Sequence, residues 1–413
     1  MTAALHVVLP GGIDDPAAPS GGNTYDRRVL TGLAATRDVH EIAVAAAWPY
    51  PAEADRAVLA GELARLPRGA TVLLDGLVAG AVPELLEPLA GRLRLVVLVH
   101  LPLGDETGLA PAAAAELTAR EGRTIRAAAA VVATSSGAGR RLEKIHGLPA
   151  GTVHVAPPGV DPAPLGDRGR AGAAPDSNQA GAVPDGNQAG AAPDSNQAAA
   201  APDSNQAAGA APDSNQAAGA APDGNQAGAV PDGGRLVCVA AVTPRKAQDV
   251  LVEALVTLAD LPWTCTLVGA LDRAPGFVTR VRELAAAVPG RVEFAGTRTG
   301  DALAGTYHHA DLLVLPSLAE TYGMVVTEAL ARGVPVLGTQ VAGVPEALGT
   351  APDGRLPGAL VPPGDPRALA ATLRRWLTEP VERAGWRAAA AARREHLRGW
   401  DFTTRLLSEV LDV

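Results

Sequence analysis

Two carboxylates stand at Glu320 and Glu328, seven residues between them, in the segment PSLAETYGMVVTEALARGVPV. The residues around them define the chemistry open to them. The apolar run ADLLVLPS (310–317) reads as a buried strand, and a helix is expected to start near Tyr322–Gly323 and run to Arg332. Its first backbone N–H groups, around Gly323, Met324 and Val325, have no intrahelical partner, so the turn suits an anion such as a diphosphate. Gly323 carries no Cβ and lets a ligand approach the backbone. Glu320, in the loop before the helix, either holds sugar hydroxyls at the mouth of a cleft or is an ordinary exposed acid. Glu328 lies one to two turns into the helix among Met324, Val325, Val326, Ala329 and Leu330, where a carboxylate needs a partner. That partner is either Arg332, four residues on, or the hydroxyls of a ribose.

A second strand, loop and helix is AAVTPRKAQDVLVEAL (240–255), with Arg245 and Lys246 at the helix start. Cations there oppose the helix dipole. The placement makes sense beside a diphosphate; otherwise these are two solvated charges costing a few tenths of a kcal/mol. On either view, removing Lys246 from the ligand-free chain is expected to be neutral or slightly stabilising.

Three further candidates lie nearer the N-terminus. SGGNTYDRRVL (20–30) follows the first strand and begins a helix, with Gly21, Gly22 and Asn23 at the turn, although it is not a GxGxxG fingerprint. His100 ends the buried run LRLVVLVH and points into a cleft, as a ligand contact or as a satisfied structural histidine. Asp75 ends TVLLDG and either contacts an acceptor or caps the next helix. His308 and His309 are adjacent, diverge, and make a poor metal pair. No metal or cofactor is expected.

These residues must be held by two sets of alternating elements. Strand-like runs fall at 5–10, 41–47, 71–76, 93–100, 129–135 and 153–159, with helical stretches such as Asn23–Leu33 and Ala112–Ala127 between them. A second set falls at 235–242, 264–270, 291–296, 310–317 and 334–339. Apolar strands alternating with helices predict two doubly wound parallel sheets, an α/β architecture, with ligands bound where the carboxyl ends of the strands meet a crevice.

The string from Pro316 to Glu346 resembles the retaining glycosyltransferases of family 4, in its paired glutamates, the flanking PS and YG, and the following GVPV and GVPE. LVPPGDPRAL (360–369), HLRGWDF (396–402) and the glycine turn at 20–30 are similar to that family as well. The resemblance implies the GT-B fold: two Rossmann-like domains facing across a cleft. It implies transfer of a sugar from a nucleotide-diphosphate sugar with retention and without a metal. Carried onto this chain, it makes Lys246, Glu320 and His100 the catalytic residues. It puts Gly21, Gly22, Arg245, Tyr322, Gly323, Met324, Val325 and Glu328 on the donor as well, with Glu328 on the ribose, and Asn23 and Asp75 on the acceptor side. The acceptor is an unidentified small molecule, lipid or glycan. The family often carries an Arg about five residues before the lysine, where this chain has Ala240 and Ala241; Arg245 is the candidate to compensate. A GT-B nucleotide-sugar epimerase and a catalytically weak nucleotide-sugar-binding scaffold are the alternative readings.

Composition sets the outer limits. The 413 residues are enough for two domains, and 47% are hydrophobic but only 3% aromatic, so small aliphatic side chains must build the cores. Residues 171–233 cycle through APDSNQA and APDGNQA, with prolines at 175, 184, 193, 202, 212, 222 and 231. This tract has no Leu, Ile or aromatic residue and is expected to be a disordered linker or insertion. It carries seven of the acidic residues, so the net charge of −9 falls to −2 without it, and neither figure indicates a nucleic-acid or anionic-membrane binder. No apolar run is long enough to span a bilayer, and MTAALHVVLP lacks the features of a signal peptide. The two cysteines, Cys238 and Cys265, lie in strand-like runs and imply neither disulfides nor zinc. A cytoplasmic protein is expected. The boundaries expected are 1–165 for the acceptor-side domain, 166–233 for the linker, 234–385 for the donor-binding domain, and 386–413 for helices packing back toward the first.

Overall fold

The computed structural model describes residues 4–15, 20–106, 108–166 and 230–413. By contacts the chain divides into one unit, residues 1–168 with 230–413, and a second, 169–229. The second unit, and with it nearly all of the expected linker, lies outside the described residues. Residues 230–233 are described: Asp232 pairs with Arg387 at 2.6 Å, and the Gly233 carbonyl accepts from Trp376 Nε1 at 2.7 Å.

The first half runs β1 (Leu5–Pro10), α1 (Gly21–Ala34), β2 (Val39–Val44), α2 (Glu53–Arg65), β3 (Thr71–Asp75), α3 (Gly76–Ala79), α4 (Pro83–Leu86), β4 (Arg94–Val99), α5 (Pro111–Ala127), β5 (Ala130–Ala133), α6 (Ser136–His146) and β6 (His154–Val155). The second runs β7 (Arg235–Val239), α7 (Gln248–Val256), β8 (Thr264–Val268), α8 (Pro275–Ala285), β9 (Val292–Gly296), α9 (Gly300–His309), β10 (Leu312–Leu315), α10 (Met324–Ala331), β11 (Val336–Thr339), α11 (Val344–Leu348) and β12 (Gly358–Val361). Three helices follow: α12 (Pro366–Thr378), α13 (Pro380–Arg394) and α14 (Trp400–Leu411).

The strands form two parallel six-stranded sheets, ordered β2-β1-β3-β4-β5-β6 and β12-β11-β10-β7-β8-β9. Central strands such as LVVLV in β4 and LLVL in β10 are buried on both faces, which is why they read as unbroken apolar runs. The edge strands β2 and β9 are more exposed. β12 was not foreseen: GALV is short, and its first residue is a glycine at φ +146° packed against the Val336 carbonyl of β11, a contact no side chain would permit.

The order of each sheet reverses at one point, between β1 and β3 in the first and between β7 and β10 in the second. Loops leaving the carboxyl ends of those strands diverge to opposite faces and open a crevice. The last helix ties the ends of the chain together: Leu407, Val410 and Leu411 of α14 share a core with Leu5, Val7 and Leu9 of β1 and with Tyr25, Val29 and Leu33 of α1. None of the helices among the described residues is long and apolar enough to cross a membrane.

Candidate functional site

Both reversal points hold the charged residues singled out above. In the second sheet, β7 leads into the loop bearing Arg245 and Lys246, and the adjacent β10 leads into the loop bearing Glu320. The two loops are stitched together by a bond from the Leu318 amide to the Arg245 carbonyl at 2.8 Å. Lys246 Nζ forms a salt bridge to Glu320 Oε1, which also accepts from the Ser317 hydroxyl at 2.8 Å. Glu320 is only 7% exposed, so it is not an ordinary surface acid. Burial alone would raise its pKa, but the charge and hydrogen bond of Lys246, the Ser317 hydroxyl and the Arg245 charge hold it below the usual glutamate value.

This pairing overturns the expectation for the ligand-free lysine. Lys246 is not a repelled cation at a bare helix start. It neutralises a buried carboxylate 74 residues away in sequence. Arg245 sends one Nη to the Ala319 carbonyl at 3.2 Å, while its Nε is buried without a hydrogen-bond partner among the described residues.

The turn after Glu320 delivers the open helix end. Gly323 sits at φ +88°, where a side chain would be strained, and the Thr321 carbonyl lies 2.1 Å from where a Cβ on Gly343 would be. These two glycines let the 320–323 loop fold against 343 and start α10 toward the cleft. The Met324 and Val325 amides head the helix without backbone acceptors among the described residues, whereas the Val326 amide bonds the Gly323 carbonyl. The ring of Tyr322 is buried in the core, so the group it offers at this turn is its backbone. Glu328 is half-buried one turn on; its Oε2 accepts from the Tyr307 hydroxyl at 2.8 Å, and Arg332 bonds its main-chain carbonyl at 2.9 Å. Burial raises the Glu328 pKa, offset in part by that hydroxyl and by the Arg332 charge.

In the first sheet the reversal point holds a three-residue cluster. His100 Nε2 donates to Asp26 Oδ1 at 2.7 Å and lies 3.7 Å from Asp75 Oδ2. Asp75 caps α3 through the Leu77 and Val78 amides at 2.7 and 3.4 Å, the capping alternative raised for it above. Burial lowers the histidine pKa, but the Asp26 charge and hydrogen bond, joined by the Asp75 charge, override it and raise it to about 9. Burial, then the Asp26 charge, pushes Asp75 up to about 7, against the pull of His100 and the two amides. The three side chains offer ligand atoms within 4.8 Å of one another, the one such group among the described residues able to hold a metal ion. The 2.7 Å contact is a hydrogen-bond length, shorter than the roughly 3.3 Å that separates two ligands on one tetrahedral ion.

The two sites meet across the cleft. A Cβ on Gly21 would lie 3.5 Å from Met324 Sδ, and one on Gly22 3.3 Å from His100 Cδ2. The glycine turn at the start of α1, capped by the Ser20 hydroxyl on the Asn23 amide at 3.1 Å, therefore faces the open end of α10. The Ser135 hydroxyl bonds the Thr321 carbonyl, and the Ser136 amide at the start of α6 bonds Glu346 of the GVPE segment at 2.9 Å. Beside these contacts is a cavity of about 610 Å³, lined by Leu101, Pro102, Asp105 and Arg141 on one side and by Arg245, Leu318, Ala319, Glu320 and Ala342 on the other. It takes in Arg245 and Glu320 but not Lys246, Glu328, Asp75 or His100.

Asp26 and Tyr307 went unnoticed in the sequence. Asp26 is a carboxylate on the apolar stripe of α1, among Tyr25, Val29, Leu30 and Leu33, and a charge on a core-facing stripe was the available signal. Tyr307 left no such mark, since an aromatic residue next to a buried strand reads as core.

With this geometry in view, the comparisons bear on the fold. Residues 233–379 match the family described as Glycosyl transferases group 1. A D-inositol 3-phosphate glycosyltransferase from Salinispora tropica is 36% identical over 194 residues, 45% of this chain and 39% of that protein. The sulfoquinovosyl transferase SQD2 of Arabidopsis thaliana is 35% identical over 109 residues, 23% of this chain and 21% of that protein. The chain thus spans about two fifths or less of the curated relatives it matches here. Among solved structures, Anabaena HepE in complex with UDP and glucose aligns over 99% of both chains with a TM-score of 0.65 at 15% identity. Sucrose-phosphate synthase from Thermosynechococcus elongatus covers 100% of this chain and 98% of its own with a TM-score of 0.66 at 18% identity. The fold is GT-B: two Rossmann-like sheets with their reversal points turned to a shared cleft.

Proposed function

We propose that the chain is a retaining, metal-independent glycosyltransferase that moves a sugar from a nucleotide-diphosphate sugar to a small-molecule, lipid or glycan acceptor. The observation that carries this reading is the Lys246–Glu320 salt bridge beside the open N-terminus of α10, inside the segment that matches glycosyltransferases. The site offers two cations and two amides without backbone acceptors among the described residues to a diphosphate, and a buried carboxylate to a sugar. On donor binding, Lys246 and Arg245 turn to the diphosphate, and Glu320 is freed to accept from sugar hydroxyls. As the anomeric C–O bond to the phosphate breaks, charge grows on the leaving oxygen, where Lys246 and the Met324 and Val325 amides stabilise it. The acceptor oxygen forms its bond on the same face, and its proton leaves with the diphosphate. His100 touches the sugar from the other side of the cleft beside Gly22, and Asp75 supports His100 as well as any acceptor contact.

The test is a thermal-shift panel of UDP, GDP, ADP and their sugars, followed by turnover with candidate acceptors in EDTA and product analysis by NMR. The expected result is stabilisation by one donor, sugar transfer only when acceptor is present, and a product with the donor's anomeric configuration. Interconversion of the donor sugar with no acceptor would make the chain an epimerase, and binding without turnover on any acceptor would make it a scaffold. Nothing in the comparisons favours those alternatives.

A further inference from the structure

The family resemblance puts Glu328 on the ribose of the donor, and the inference here rests on that reading and on the proposed function. A glutamate carboxylate is poorly fixed by its own torsions, since the terminal one is broad and nearly two-fold. A second residue must therefore set its direction. Tyr307 is 1% exposed, and its ring is packed in the core with Val237, Leu313, Leu315 and Leu330. A phenol buried so deeply must find an acceptor, and the one it finds is Glu328 Oε2 at 2.8 Å. The Cζ of Arg332 lies 5.0 Å from the centroid of the same ring, and a guanidinium bond to the Glu328 carbonyl fixes the backbone beneath the carboxylate. Oε1 accepts no hydrogen bond from the described residues.

We infer that Tyr307 is a positioning residue for nucleoside recognition: its hydroxyl holds one oxygen of Glu328 so that the other is presented to the 2′- and 3′-hydroxyls of the donor ribose. The phenol does not touch the ligand. It keeps the carboxylate in one rotamer before the nucleotide arrives, so the ordering is not charged against binding. The specificity that results is for a ribonucleoside diphosphate over a deoxygenated one, whatever the base.

The experiment titrates the wild-type chain and Tyr307→Phe with whichever of UDP, GDP and ADP binds tightest, and with its 2′,3′-dideoxy counterpart. The wild type should prefer the ribonucleotide by about 10-fold or more, as expected for lost hydrogen bonds to a charged group. Tyr307→Phe should weaken the ribonucleotide about 3- to 10-fold and the dideoxynucleotide by less than about 2-fold, raising KM with kcat little changed. In a Glu328→Ala background the same change should do nothing further to either ligand. If the wild type binds none of these nucleotides or does not discriminate, the ribose reading of Glu328 fails and the inference goes with it. If the wild type discriminates and Tyr307→Phe keeps the full ratio, Glu328 stands and the role of Tyr307 is overturned. Equal weakening of both ligands, or loss of cooperative folding, would make the hydroxyl structural and overturn it too.

Discussion

The two reversal points solve the same problem in different ways. In the second sheet, opposite charges arrive on separate loops, Lys246 after β7 and Glu320 after β10, and neutralise each other. In the first, Asp26, Asp75 and His100 come from a helix, a strand end and a neighbouring strand end and hold one another inside the fold. The first arrangement is an ion pair whose glutamate lines a cavity of about 610 Å³; the second is a cluster of three side chains outside that cavity. One site joins two loops through a single ion pair, and the other shares its charge among three side chains. Each therefore breaks in its own way.

The largest effect should come from Lys246. Lys246→Ala is expected to cut turnover about 10²-fold, roughly 3 kcal/mol of transition-state stabilisation, in a steady-state assay. It should also destabilise the ligand-free chain by about 1–3 kcal/mol in denaturant, because Glu320 is left buried without its ion-pair partner, held only by the Ser317 hydroxyl and the Arg245 charge. Adding Glu320→Ala should recover much of that stability and none of the turnover. A neutral or stabilising Lys246→Ala in the ligand-free chain would show that the pair is not holding the two loops.

Next in size is the division of labour between the glutamates. Glu328→Ala should weaken the nucleoside diphosphate by about 1.5–3 kcal/mol, whereas Glu320→Ala should spare it and weaken only the intact donor. Calorimetric titration with both ligands separates the two; identical losses in both variants would collapse the site into one undivided patch.

The N-terminal cluster should show itself through pH. The folded pKa of His100 is raised to about 9, so its contribution to stability is fully present below the unfolded value of about 6.5 and is lost as pH rises through 9. Asp75, raised to about 7, loses stability in the same direction over the range from about 4 to 7. Stability should therefore fall between pH 6.5 and 9 by an amount on the order of 1–2 kcal/mol, read as a falling melting temperature. Asp26→Asn should flatten that slope. A slope unchanged in Asp26→Asn would mean that the histidine's charge is set elsewhere.

The smallest effect is expected from deleting 175–231. Its composition has no Leu, Ile or aromatic residue, and loop-closure entropy changes slowly with length, so stability should move by about 1 kcal/mol or less and nucleotide affinity hardly at all. Cooperative unfolding lost in the deletion variant would assign the repeat a structural part.

The same contrast governs how much could be read from the residues alone. The string from Pro316 to Glu346 was legible because β10, the Glu320 loop and α10 are contiguous, so strand period, glycine and helix pattern occur in one stretch of sequence. The strands of both sheets stood out as apolar runs because parallel strands are covered on both faces. The pairing of Lys246 with Glu320 was not legible, since it depends on β7 and β10 being neighbours, which only the sheet order decides. Asp75 and His100 could be seen at strand ends, but Asp26, which binds His100, lies 74 residues away on a helix and has no spacing relation to it. Tyr307 was hidden for the same reason: its hydroxyl meets Glu328 through the fold alone.

The central proposal is that the Lys246–Glu320 pair beside α10 receives the diphosphate of a nucleotide-sugar donor. Calorimetric titration of the preferred nucleoside diphosphate into the wild-type chain and into Lys246→Ala, side by side in EDTA, tests it most directly. One-to-one binding to the wild type, weakened at least about 10-fold in Lys246→Ala as loss of a charge-assisted contact requires, is the predicted result. Equal affinity for both chains, or no binding of any nucleotide to the wild type, would contradict it.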